Sequence, residues 1–320
     1  MSYMPNWRMV AAILGATLTL GACGGGGDSN PAVPDSAGAV AATLPSPTPA
    51  ATIGAPVASG DIARDGREWI NYRRAQIGVP AVSQNAQLDN AALGHSEYQR
   101  VNDLISHEQE PGRQGFTGAD LAARLSSAGY TLDPQRGYAY GEVISGTSNN
   151  SGFFMVDELI TAIYHRFVVF EPVFRELGTG AATTGDGYHY FTADFASRDG
   201  YGPGIAPGTA VIWPFEGQTG VAPNFFSDTE QPDPVPNRNE VGYPISVHTN
   251  LGSTLTVDSF TVRPRGGAQL ETLRVDPLGS TTAASIVPVL ALQAATTYEV
   301  AFTGAVNGAP LTRAWSFTTR

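Results

Sequence analysis

His107, Glu142 and His165 are the residues whose types best suit chemistry: two imidazoles and a carboxylate, drawn from three separate segments. Histidine nitrogen and glutamate oxygen both suit zinc, and three such ligands leave a fourth position open to water. A zinc-bound water could then act as nucleophile, with Glu142 as general base. The same three groups could equally form a polar network, His107 and His165 hydrogen-bonded to Glu142 and to backbone, that only shapes a cleft. Spacing does not choose between the two, since the sequence has neither an HExxH nor a CxxC pairing. Glu158 and Asp157 are the local candidates for a fourth corner. Glu158 stands seven residues before His165, so on one helix they would share a face but lie about 10.5 Å apart along the axis. One ion could reach both only across a kink.

Elements able to position these residues can be read from the pattern. Helix is expected from Asp61 to Asn102, capped by Asp61 or Asp65, with Leu88, Ala91, Ala92 and His95 recurring at helical spacing. A core role suits His95. A second helix is expected over Thr117–Ala128, with Thr117 as cap, Asp120 three residues on and Gly129 as stop. A third runs from Met155 to Phe167. The alternation of Tyr188–Phe195 predicts a strand, with His189 packed.

After Tyr201 the character changes. GPGIAPG (202–208) and QPDPVPN (231–237) break the chain twice. Beyond them come short segments rich in Val, Thr and aromatics, spaced like the strands of a β-sandwich: Ile245–Thr249, Leu255–Val262, Leu270–Val275, Ser285–Leu290, Thr297–Thr303 and Thr312–Thr318. That part carries no catalytic constellation, and His248 and Asp258 read as surface residues.

Three stretches together, NAALGHSEYQRVNDLISH (90–107), YAYGEVIS (138–145) and LITAIYHRFVVFEPVFRELGTG (159–180), resemble the CAP superfamily of cysteine-rich secretory, antigen 5 and pathogenesis-related proteins, in its bacterial, disulfide-free branch. The resemblance implies an α/β fold, a three-layer αβα sandwich over residues 61–201, whose cleft carries two histidines and two acidic residues and in some members binds a divalent metal such as zinc. It places His107, Glu142 and His165 in that cleft, with Glu158 as the further candidate and Gly178-Thr179-Gly180 as the closing G-x-G. Val143 departs from the asparagine of the family's G-E-N motif, and Leu159 and Ala162 depart from its W-x-x-S. Residues 202–320 resemble the all-β Ig-like sandwich modules of bacterial envelope proteins, through TTYEVAFTG (296–304) and WSFTT (315–319).

The N-terminus points to export. Arg8 precedes a short apolar run, Met9–Leu20, and Leu20-Gly21-Ala22-Cys23 has the small residues of a cleavage site. Residues 1–22 are therefore expected to be a removed signal peptide. Cys23, the chain's single cysteine, stands where bacterial lipoproteins carry their acylated residue, and two or three acyl chains at about 0.8 kcal/mol per CH₂ would hold it on a membrane. Gly24 after Cys23 is similar to outer-membrane lipoproteins. Residues 23–60, rich in Gly, Pro, Ala and Ser, read as a flexible tether. A net charge of −11, with 29 acidic against 18 basic residues, argues against nucleic acid. With no lysine in the chain, Schiff-base and Ser-Lys mechanisms are excluded.

The function these features imply is that of an envelope lipoprotein whose cleft binds an envelope or extracellular ligand, with or without a metal. A zinc-dependent hydrolase and a purely structural protein are the rival readings. If the histidines are zinc ligands, affinity should fall as pH drops through about 6.5. Glu142→Gln should then weaken the metal site and leave the fold intact.

Overall fold

The computed structural model describes the backbone of residues 8–14 and residues 54–320 in full. The cleavage site at Leu20–Cys23, the acylation site Cys23 and most of the tether lie outside the described residues.

In the first unit, helices α1 (Ile62–Gln76), α2 (Ala86–Asn102), α3 (Leu121–Ser127), α4 (Gly152–Thr161) and α5 (Ile163–Val169) surround a sheet. Its strands are β1 (Arg8–Leu14), β2 (Ser83–Gln84), β3 (Ala139–Thr147), β4 (Glu176–Thr183) and β5 (His189–Ser197), joined by β9 (Glu230–Gln231), in the order β2-β4-β5-β3-β1-β9. Both faces are covered, which makes the expected αβα arrangement. On β3 the alternation is visible at the glycines: a Cβ on Gly141 would meet Val168 and Phe174, whereas one on Gly146 would meet Ile105. Odd-numbered residues of β3 thus face α5, and even-numbered ones, Glu142 among them, face α2 and α3.

Gly178 and Gly180 explain the G-x-G. A Cβ at either would overlap the backbone of α2, at Leu88 and Leu93, so the close seating of α2 on β4 requires both glycines. Between them Thr179 takes its N–H bond to Asp89 at 2.9 Å.

Local chemistry settles one of the expected helix boundaries and shifts two. Asp61 caps α1 by accepting from Arg64 N at 3.0 Å, while Asp65 turns back to Ser59 and Gly60. Asp120, not Thr117, caps α3, accepting from Ala123 N at 2.8 Å, because Thr117 is bonded to Gln109. The single helix expected over Met155–Phe167 is two helices, α4 capped by Ser151 and α5 beginning after Ala162, whose ψ of 123° is extended.

The second unit is all-β. Strands β6 (Val211–Trp213), β7 (Gln218–Val221), β11 (Ile245–His248), β12 (Leu255–Pro264), β13 (Thr272–Val275), β14 (Ala283–Pro288), β15 (Thr297–Val306) and β16 (Ala309–Thr319) form two four-stranded sheets, β13-β14-β11-β6 and β12-β15-β16-β7. A short β8–β10 pair (Asn224–Phe226, Glu240–Gly242) stands beside them.

The two units share one core. All seven residues of α5 are buried, because the β-rich unit covers the helix. Arg166 donates to Pro244 O at 2.7 Å and to Ser246 Oγ at 3.2 Å, and Phe170 packs on Trp213 with ring centroids 5.1 Å apart. His248, expected on the surface, is buried against Phe167 and Phe170, and burial pushes its imidazole down to about 3.

Candidate functional site

Glu142, on β3, has no exposed surface. Arg124 of α3 donates Nη2 to both its carboxylate oxygens, at 2.8 and 2.7 Å, and a second nitrogen to His107 O at 2.7 Å. His107, in the loop after α2, donates Nδ1 to Glu142 at 2.7 Å, which leaves its buried Nε2 without a hydrogen-bond partner. Burial alone would raise the Glu142 pKa, but the Arg124 guanidinium, helped by the hydrogen bond from His107, holds the carboxyl well below the usual range.

Beside Glu142 lies a second buried acid, Asp194 of β5, its direct cross-strand partner. Burial, followed by the negative charge of Glu142, keeps Asp194 protonated well above the ordinary aspartate range. The two carboxyls cannot both ionise cheaply beside one guanidinium, so the charge settles on Glu142. His95 completes the network from α2. Its Nε2 donates to Ser106 O at 2.8 Å and its Nδ1 accepts from Gln109 at 2.9 Å, which fixes a neutral tautomer. Burial lowers its pKa to about 4.

His165 belongs to a different network. Its Nδ1 donates to Glu230 at 2.9 Å. The same carboxylate accepts the backbone N–H groups of Ile163 (2.8 Å), Tyr164 (2.6 Å) and His165 (3.1 Å). Glu230 is thus the cap of α5: the first amides of a helix have no partner within it, and a carboxylate satisfies them and complements the helix dipole. This is why the apolar stretch breaks at Ala162. His165 Nε2, like His107 Nε2, is buried and unpartnered.

Of the residues expected in the cleft, the structure joins His107 to Glu142 and places His165 and Glu158 apart from that pair. Asp157 is held on the protein surface by Arg73, at 2.8 Å through two nitrogens, and by Trp69. Glu158 is raised to about 7 by burial and then by neighbouring Asp157, and it bonds to neither histidine. The acid that pairs with His165 is Glu230, which lies beyond residues 61–201. Two histidine–carboxylate pairs result, His107–Glu142 and His165–Glu230. The register sets them on opposite sides of β1, where Ala12 stands across from Glu142 and Met9 across from Glu230.

These residues do not fit zinc as arranged. Glu142 spends both oxygens on Arg124 and His107, Glu230 spends its own on α5 and His165, and no group of three metal-ligating side chains occurs among the described residues.

Residues 68–195 match the model of the CAP family, the cysteine-rich secretory protein family. The first unit is a CAP domain. Among solved structures, the CAP-containing chain is similar to an extracellular protein with an SCP domain from Bacillus anthracis str. Ames, at 19% identity over 44% of this chain and 44% of that one, with a TM-score of 0.35. It is also similar to an outer surface protein from Borrelia burgdorferi, at 14% identity over 41% of this chain and 89% of that one, TM-score 0.35. The alignment thus spans under half the length of the first relative. Comparison with curated proteins gives no match.

Proposed function

We propose that this protein is an exported binding protein of the bacterial cell envelope, acylated at Cys23, with the CAP cleft as its ligand site and the β-rich unit as an Ig-like spacer fused to it. The observation that supports binding over catalysis is the state of Glu142. A general base must reach the proton it takes, within about 2.6–3.2 Å, whereas Glu142 is fully buried and bonded by Arg124 and His107. One feature favours acid–base chemistry, the opposed pKa shifts of Asp194 and Glu142, but both groups have no exposed surface with β1 in place, and Glu142 gives both its oxygens to Arg124 and His107. His107, whose side chain keeps 10% of its surface exposed, is the member of this network that a bound ligand could reach.

Ester, amide and phosphodiester probes, with and without zinc, test this reading on wild type and His107→Ala. No turnover that depends on His107 is expected. Turnover lost in the variant would identify an enzyme and overturn the reading. Mass spectrometry of the mature protein should show an acyl adduct at Cys23, and a free thiol there would remove the anchor.

A further inference from the structure

The CAP sheet holds a strand-shaped slot one place in from its edge. Strand β1 pairs antiparallel with β3 along its full seven residues, Arg8 opposite Gly146 through Leu14 opposite Tyr140, and its other edge meets Glu230 and Gln231 of β9 in parallel. Yet β1 lies within the expected signal peptide, residues 1–22. Processing before Cys23 would take away an internal strand and leave the edge of β3 without its partner. An edge strand presents unpaired N–H and C=O groups that template another strand. Here that edge carries the whole buried face of β3 and runs between the two histidine–carboxylate pairs.

We infer that in the processed protein the β3 edge is a receptor groove for an extended peptide, which adds as an antiparallel strand between the His107–Glu142 and His165–Glu230 pairs. The inference rests on the binding reading above and names its ligand class. The occupant's chemistry follows from the segment seated there, RMVAAIL, which has alanine at the two registers opposite Val143 and Glu142. Cross-strand partners bring their Cβ atoms within about 4.5–5.5 Å, so a further acid opposite Glu142, which already has Asp194 on its other side, would be repelled and desolvated there. The fitting peptide is therefore extended, small and uncharged where it passes those two residues.

The far end of the groove supplies a second contact. Where Leu14 pairs with Tyr140, β3 borders a cavity of about 530 Å³ between the two units, lined by Tyr140, Phe167, Phe174, His248 and Leu251, with Glu171 in its wall. A peptide in the register of β1 would carry its C-terminal continuation toward this cavity. Main-chain pairing would supply affinity and the cavity selectivity, the division of labour usual when a strand is added to a sheet.

The test uses the chain from Cys23 onward, which retains every buried core residue among those described, since these run from Ile70 to Phe317. A fluorescent peptide of residues 6–16, NWRMVAAILGA, is titrated against it and against the full chain. The peptide should bind the Cys23 chain at least tenfold more tightly than the full chain, whose own strand competes. It should also slow hydrogen exchange at 139–147, and N-methylation of successive residues 9–13 should abolish binding. Absence of binding to the Cys23 chain, or equal binding of the N-methylated peptide, would overturn the groove. That failure is distinct from failure of the binding reading, which only His107-dependent turnover would bring.

Discussion

Removing the charge of Glu142 should remove much of the protein's stability margin, contrary to the sequence-based expectation that Glu142→Gln spares the fold. Arg124 has 1% of its surface exposed, and among the described residues its cation is paired with Glu142 alone, through two bonds of 2.8 and 2.7 Å. Leaving one member of a buried pair uncompensated costs about 3–5 kcal/mol. Asp194 moderates the loss: once the Glu142 charge is gone, the repulsion that keeps Asp194 protonated disappears, and it can ionise toward Arg124. The single variant should therefore lie near the lower bound, about 3 kcal/mol, and Glu142→Gln/Asp194→Asn near the upper, about 5 kcal/mol. At roughly 2–4 °C per kcal/mol for domains of this size, melting should fall by about 6–20 °C. Asp194→Asn alone exchanges one neutral group for another and should cost far less. Urea unfolding at pH 7, followed by circular dichroism, gives all three values. A double variant within about 1 kcal/mol of wild type would refute the buried ion pair as the organiser of the site.

Further outcomes follow from the same physics. Burial raises Glu171 to about 7, above its unfolded value of about 4.5, so its contribution is complete below about pH 4.5 and is lost as pH rises through about 7. The shift corresponds to about 3 kcal/mol at full burial and to about 1–3 kcal/mol given its contact with the cavity, and Glu171→Gln should flatten the stability profile over that range. Glu142 acts with the opposite sign: its contribution holds above about pH 4.5 and disappears as pH falls below the usual carboxylate range, which acid titration of wild type against Glu142→Gln would register. Glu230→Ala leaves three amides of α5 without their acceptor and should cost more than the 0.5–2 kcal/mol of an ordinary cap; a smaller loss in urea would assign the helix break to another cause. A fragment of residues 54–201 should be molten, with dye-binding apolar surface, because Phe167 and Phe170 lose the cover of Trp213 and His248. Cooperative melting of that fragment would show the shared core to be dispensable.

How much of this was legible depends on whether a residue's role is local. His107 and Glu142 sit in stretches whose residue types match a family pattern, and the break after Tyr201 follows from proline and glycine chemistry. Arg124 is one charge on a short amphipathic helix, where a sequence shows a solvated face as readily as a buried partner. Asp194 occupies a polar position in an alternating strand, a pattern that normally marks the wet face of a sheet; here α2 covers that face, with Ser96 on Thr192 at 3.0 Å. Glu230 is the hardest to foresee. It stands 65 residues from His165, and the break it makes at Ala162 interrupts a stretch whose apolar spacing is continuous. The kink that would have been needed to join Glu158 to His165 does exist, but it turns the new helix toward Glu230.

Zinc titration of the tag-free protein by calorimetry at pH 7.5 tests the central claim most directly. With Glu142 committed to Arg124 and Glu230 to α5, wild type and His107→Ala should give the same trace, without a stoichiometric site. One equivalent of zinc bound by wild type and lost in His107→Ala would contradict the account and return the cleft to metal chemistry.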